Sequence, residues 1–235
     1  MAEPIQIGIL LYPNVTQLDA TGPAQVLSRV PGAKMHMIWK TRDPVPTDAG
    51  FSIVPTTTFA DCPQLDVICV PGGGGQVEVM VDAEALEFLR KQAATARYVT
   101  SVCTGSLILG AAGLLKGYKS ACHWAWRDML KDFGATPVAE RVVRDRNRIS
   151  GGGVTAGIDF AFALMAAIRG EKHARLVQLG LEYDPQPPFD SGSPDRAGPE
   201  LIAAYHERMQ ALAPDREEQM QAAAREAMAR GPQSV

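Results

Sequence analysis

The stretch Arg97-Tyr98-Val99-Thr100-Ser101-Val102-Cys103-Thr104-Gly105-Ser106-Leu107-Ile108-Leu109 decides the fold. Its first half is a short run with β-branched residues, which reads as a strand. Its second half is apolar all round and reads as a buried helix. Outward from it the same alternation recurs. Residues 5–12 form an apolar run closed by Pro13, and residues 35–40 alternate apolar and polar side chains. Residues 66–70, rich in Val and Ile, run into Pro71 and four consecutive glycines. Residues 82–96 read as a helix with Leu86, Leu89 and Ala93 at core spacing, and residues 106–115 as a short helix stopped by Gly117. Ile158, Phe162 and Met165 stripe a further helix, and Leu201, Tyr205, Met209 and Leu212 a late one. Compact apolar strands separated by helices predict an α/β fold, a doubly wound, mostly parallel sheet flanked by helices.

The chain has 235 residues, 46% of them hydrophobic, enough to bury a core without a disulfide or metal staple. One domain over residues 1–235 is expected. Residues 183–199, with five prolines and two glycines, read as a surface loop. Residues 200–235 read as a C-terminal helical segment, whose part after Pro214 either packs on a partner or frays. The net charge of -3, with no Lys/Arg block, argues against nucleic-acid and anionic membrane partners. No apolar run approaches the ~20 residues of a membrane span. The N-terminal residues lack a signal-peptide pattern, so a cytoplasmic location is expected. The four cysteines form no C-x-x-C pair and the four histidines no H-x-x-x-H pair, so no metal site is expected.

In an open parallel sheet, ligands bind at the carboxyl ends of the strands. Three groups follow strand ends here: Asp19, the glycine run from Gly72, and Cys103. Cys103 stands where a strand turns into a helix. Unpaired N–H groups at a helix start stabilise a thiolate, so a lowered thiol pKa is expected, with Thr104 and Ser106 as capping oxygens. The alternative is a buried structural cysteine, the reading given to Cys62, Cys69 and Cys122. Asp19 is either a helix N-cap or a carboxyl that holds a proton beside the thiolate. The glycine run is either a turn or a backbone surface that lets N–H groups approach a ligand. Gly151, Gly153 and Gly157 lie too late in the chain for a dinucleotide fingerprint and fit close helix–sheet packing. His123 either approaches the same rim or packs beside its neighbouring tryptophans.

Taken together, Tyr12-Pro13 through Leu18-Asp19-Ala20-Thr21-Gly22-Pro23, Val70-Pro71-Gly72-Gly73 and Ser101-Val102-Cys103-Thr104-Gly105 resemble the ThiJ/PfpI superfamily. Residues 59–63, 141–145, 151–160 and 181–183 bring the pattern nearest to its isonitrile-hydratase branch. The resemblance runs from the first strand to the Pro-rich loop. It implies a flavodoxin-like sandwich, a homodimer, no metal and no organic cofactor. It also implies a small-molecule isonitrile substrate, Cys103 as nucleophile and Asp19 as the nearby acid. The N–H groups of Gly73 and Thr104, beside Gly72, would face the reacting centre, and the Thr104 hydroxyl would add a hydrogen bond. Many relatives carry His directly after the cysteine; Thr104 stands there, which weakens peptidase and amidotransferase readings. A cofactor-free glyoxalase acting on methylglyoxal, and a redox or ligand sensor with an oxidisable Cys103, are the competing expectations.

Overall fold

The computed structural model of the chain describes residues 3–230. Its strands are β1 (Ile5–Leu10), β2 (Ala33–Trp39), β3 (Val45–Pro46), β4 (Ser52–Ile53), β5 (Thr57–Thr58), β6 (Val67–Val70), β7 (Tyr98–Val102), β8 (Lys119–Ser120), β9 (Thr136–Pro137), β10 (Val142–Asp145) and β11 (Arg148–Gly151). Its helices are α1 (Gln17–Leu27), α2 (Gln76–Val81), α3 (Ala83–Ala93), α4 (Gly105–Ala111), α5 (Ala156–Arg169), α6 (Glu171–Gly180), α7 (Pro194–Leu212) and α8 (Arg216–Arg230). A 3-10 helix spans Arg127–Phe133.

Seven strands form one sheet in the order β10-β11-β7-β6-β1-β2-β5. Every pairing in it is parallel except β10 with β11. The sheet is therefore mostly parallel and flavodoxin-like, as expected. Its central strands are buried because helices cover both faces: β6 is buried along its length, as is β7 after Tyr98. Helices α1, α5 and α6 pack together on one face, and α2, α3, α4 and α8 on the other. The chain leaves β1 for β2 on one side and returns to β6 on the other. That reversal opens a crevice between the carboxyl ends of β1 and β6. Fully buried Tyr12 ties the two ends together, its hydroxyl donating to the Pro71 carbonyl at 2.8 Å.

Several boundaries differ from the sequence reading. α4 stops at Ala111 rather than near residue 115, because Gly113 turns the chain at φ 77°. α3 starts at Ala83, capped by the Asp82 carboxylate, which accepts from the N–H groups of Glu84 and Ala85. The Pro-rich stretch is irregular only to Ser193: Pro194 opens α7, where its missing N–H costs nothing. α7 has no buried residue and is kinked at Gly198. As far as Arg230, the segment after Pro214 is a helix packed on its own chain. Met220, Ala223, Ala224 and Ala227 are buried as α8 lies on α2 and α4. Of the expected 200–235 segment, residues 231–235 lie outside the described residues. No described helix is long and apolar enough to cross a membrane.

Met220 is 0% exposed at the centre of this contact. Met220→Ala should therefore lower stability by about 2–5 kcal/mol in urea unfolding. A cost under about 1 kcal/mol would show that α8 is only lightly held.

Candidate functional site

Cys103 directly follows β7 and Gly72 lies two residues past β6, whereas Asp19 comes nine residues after β1, inside α1. Thr16 is the residue before α1, which puts Asp19 in the first turn of that helix rather than at its cap. The expected capping role is thus not what the structure gives. Asp19 is fully buried, points into the crevice, and accepts from the Gly72 N–H through Oδ2 at 2.8 Å. Its Oδ1 has no hydrogen-bond partner among the described residues.

Cys103 follows β7 and precedes α4 in the left-handed region, at φ 58°. A non-glycine residue there costs about 1–3 kcal/mol. The surroundings hold it: its N–H donates to the Gly151 carbonyl at 3.1 Å, and its carbonyl accepts from the Ser106 hydroxyl at 3.1 Å. Gly105 makes the sharp turn possible, since a Cβ there would lie 2.0 Å from the Val70 carbonyl oxygen. Gly72 lies against the same turn. A Cβ on it would come within 2.6 Å of the Thr104 nitrogen and 2.9 Å of Asp19 Oδ2. The Asp19 carboxyl, the Thr104 backbone and the Gly72 backbone therefore border one small space beside Cys103.

The charges of the pair are set by burial. Desolvation pushes the Asp19 carboxyl up to about 7, with the Gly72 N–H and the Cys103 thiol pulling the other way. Burial also pushes the Cys103 thiol well up, and the neighbouring Asp19 carboxyl adds to it. The lowered thiol pKa expected from the helix start is thus reversed. Cys103 is only 5% exposed and sits beside an acid, and the Thr104 N–H offsets only part of that. Two groups coupled this way share their proton, and the first ionisation belongs to the pair.

Of the two backbone donors expected to face the reacting centre, the Thr104 N–H is turned to the sulfur. The Gly73 N–H is instead donated to Thr104 Oγ1 at 3.2 Å. Thr104 does not cap α4 with its side chain. Its hydroxyl donates to Gln76 Oε1 at 3.3 Å, and Arg216 of α8 donates to the same oxygen at 2.9 Å. Neither Gln76 nor Arg216 is suggested by any sequence pattern. The only trace of the former is a polar residue placed directly after the glycine run.

Burial makes a cation costly at His123 and lowers its pKa. Its Nδ1 accepts from the Ala125 N–H at 3.4 Å. The ring lies 5.7 Å from Trp124 and 6.3 Å from Tyr205, and no hydrogen bond among the described residues joins it to Cys103. Cys69 and Cys122 are enclosed, their thiols pushed up to about 12. Gly151 and Gly157 do pack closely: their Cβ positions lie 3.1 Å from the Ala156 carbonyl oxygen and 3.3 Å from Pro23 and Val102. Among the described residues, no three His, Cys, Asp or Glu converge as metal ligands.

Residues 6–167 match the model of the DJ-1/PfpI family. The chain is 56% identical over 204 residues to isonitrile hydratase from Pseudomonas putida, covering 87% of this chain and 90% of that protein. It is similar to the HTH-type transcriptional regulator GbdR of Pseudomonas aeruginosa, 32% identical over 187 residues. That alignment covers 76% of this chain and 49% of the regulator. In three dimensions it superposes on the crystal structure of a ThiJ/PfpI family protein from Pseudomonas syringae with a TM-score of 0.89 and 46% identity. The match covers 96% of this chain and 91% of that one.

A carboxyl with a raised folded pKa keeps its proton in the native state after the unfolded chain has lost it. Its contribution to stability is complete below the ordinary value of 3.8 and is lost as the pH climbs to about 7. Asp19→Asn keeps the acceptor for Gly72 and removes this loss. The stability of the variant relative to wild type should rise by roughly 2–4 kcal/mol between pH 4 and pH 8, read by urea unfolding at each pH. A pH-independent difference would contradict the buried, proton-holding carboxyl.

Proposed function

The chain belongs to the DJ-1/PfpI family, and from that premise we propose that it is an isonitrile hydratase, converting R–N≡C and water to the N-substituted formamide R–NH–CHO. The likeness to the Pseudomonas putida enzyme over most of both chains supports the substrate class. The observation that carries the chemistry is the buried Asp19 carboxyl, pushed up to about 7 by desolvation, against the Cys103 thiol. A nucleophile and a proton donor adjacent in a water-poor space are what addition to a terminal isonitrile carbon requires.

When the pair has lost one proton, transfer of the other from sulfur to Asp19 gives the reactive tautomer, thiolate beside carboxylic acid. The sulfur adds to the terminal carbon, forming a C–S bond, and Asp19 protonates that carbon. The product is a thioimidate, R–N=CH–S, on Cys103. Water then adds to the same carbon: the hydroxyl stays on carbon, and Asp19 relays the other proton to nitrogen. Collapse of the adduct breaks the C–S bond, the hydroxyl proton returns to Asp19, and the formamide leaves. The thiolate and the carboxylic acid are restored. All protons and electron pairs come from the two side chains and water, so the scheme calls for no cofactor.

The other residues serve this cycle. The Thr104 N–H stabilises charge on the sulfur as it attacks and as it leaves. Gly72 and Gly73 form a bare backbone wall, and the missing side chain of Gly72 lets its backbone lie directly against Thr104 and Asp19. Cys103 at its turn acts as a nucleophile elbow. The reading carries with it one catalytic domain acting as a cytoplasmic homodimer. α7, with no buried residue and with Leu201 and Leu212 exposed, supports a second copy as its cover.

Purified, reduced protein should consume an aryl isonitrile, read as loss of its infrared stretch, with formamide formed in equal amount. Cys103→Ala should lower the rate by about a thousandfold or more. Asp19→Ala should remain alkylated at Cys103 yet turn over about a hundredfold more slowly. No turnover by folded, reduced wild type would overturn the assignment.

Because the pair must lose its first proton before sulfur attacks, kcat/KM should rise with pH through about 7. A flat or falling profile across that range would exclude an ionised pair as the reactive form.

A further inference from the structure

We propose that Arg216, on the first turn of the C-terminal helix, is a positioning residue for the reaction centre, acting through Gln76 and Thr104. The inference rests on the site described above, whichever substrate that site takes. The Arg216 guanidinium is half-buried and forks onto two neutral oxygens: the Gly74 carbonyl at 2.7 Å and Gln76 Oε1 at 2.9 Å. Gln76 is 1% exposed, and its Nε2 donates to Met220 Sδ at 2.7 Å. With a cation at one end and a thioether at the other, the amide has one acceptable orientation. Turning it over would press its NH2 group against the guanidinium.

That orientation decides the next bond. Oε1 faces Thr104, so the hydroxyl proton of Thr104 must point at it, at 3.3 Å. The lone pairs of Oγ1 are then left for the Gly73 N–H, at 3.2 Å. The hydrogen bonds converge on Gln76 Oε1, which accepts from the guanidinium and from the Thr104 hydroxyl, while that hydroxyl accepts from the Gly73 N–H of the glycine loop. They clamp that loop from both flanks, since the Gly74 carbonyl is held by Arg216 directly. One residue back, the Gly72 N–H donates to Asp19 Oδ2. Arg216 therefore fixes how closely the Gly72 amide approaches the carboxyl that faces Cys103. Without it, the Gln76 amide is free to turn, Thr104 is free to rotate, and the N–H support of the carboxylate loosens.

The other titratable groups that interact with the Asp19–Cys103 pair are Tyr12, Asp48, Cys69, Cys122 and Tyr205. None of them is hydrogen-bonded within the relay, and Tyr12, which with Glu78 also feels the Arg216 charge, keeps that charge in Gln76→Met. A through-space effect of the Arg216 charge predicts a response to loss of Arg216 alone. A relay predicts the same response when Gln76 is changed and the charge kept.

The test is the pH dependence of Cys103 alkylation by iodoacetamide, a readout that needs no turnover, followed by isonitrile kinetics. Arg216→Met keeps the aliphatic stem, Arg216→Lys keeps the charge and a donor, and Gln76→Met keeps Arg216 but cuts the relay. Glu217→Gln, an exposed neighbour on the same helix, is the control. The expected result is an alkylation midpoint raised by about half a pH unit in both Arg216→Met and Gln76→Met, with partial return in Arg216→Lys. In turnover, kcat should fall about tenfold with KM little changed. A shift in Arg216→Met but not in Gln76→Met would overturn the relay. So would variants with lowered thermal stability and an unmoved midpoint. If wild type hydrates no isonitrile, the assigned function fails while the alkylation profiles still decide the role of Arg216.

Discussion

The amide of Gly72 donating to the buried carboxyl of Asp19 joins the end of β6 to the helix that follows β1, across the point where the strand order reverses. The site depends on how that contact is made. It requires a residue without a side chain, because a Cβ on Gly72 would strike Asp19, the Thr104 nitrogen and the Thr104 hydroxyl together. It holds Asp19 Oδ2 from the backbone, while the Cys103 thiol is the side-chain donor that faces the same carboxyl. A carboxyl in that situation keeps a high proton affinity through desolvation and a fixed direction through the Gly72 N–H.

The surrounding fold tolerates several local costs for this arrangement. Cys103 is held in a left-handed conformation, and Asp19 Oδ1 and Ser101 Oγ are buried without hydrogen-bond partners among the described residues. Each costs on the order of 1–3 kcal/mol, comparable to the loss of a core methylene or two. They are concentrated at one rim of an otherwise closely packed sheet, where β1, β6 and β7 are buried on both faces.

Much of this was legible in the chain. The strand-to-helix turn at Cys103, the glycines after residue 70 and Asp19 after the first strand could be placed on one rim from hydrophobic runs alone, because parallel strands bring their carboxyl ends together. The packing role of Gly151 and Gly157 was legible too. Helix ends were less so: the stop of α4 depends on Gly113, and the start of α7 on Pro194 after a loop of prolines. The segment after Pro214 read as partner-bound or frayed. Its small apolar residues are too sparse to reveal that they fit against α2 and α4.

Residue types and their order determined the fold class and the placing of Cys103, Asp19 and the glycine run at one rim, since these follow from periodicity and from where strands end. Only the tertiary structure decided the state and support of those groups. The proton on Asp19, the raised rather than lowered thiol of Cys103 and the capture of the Gly73 N–H by Thr104 are consequences of burial and of neighbours distant in the chain. Arg216 lies 140 residues beyond Gln76 and shares an oxygen with Thr104 across that gap. Desolvation and hydrogen-bond direction are properties of an enclosed volume, and a linear sequence carries no measure of that volume until the chain has closed around it.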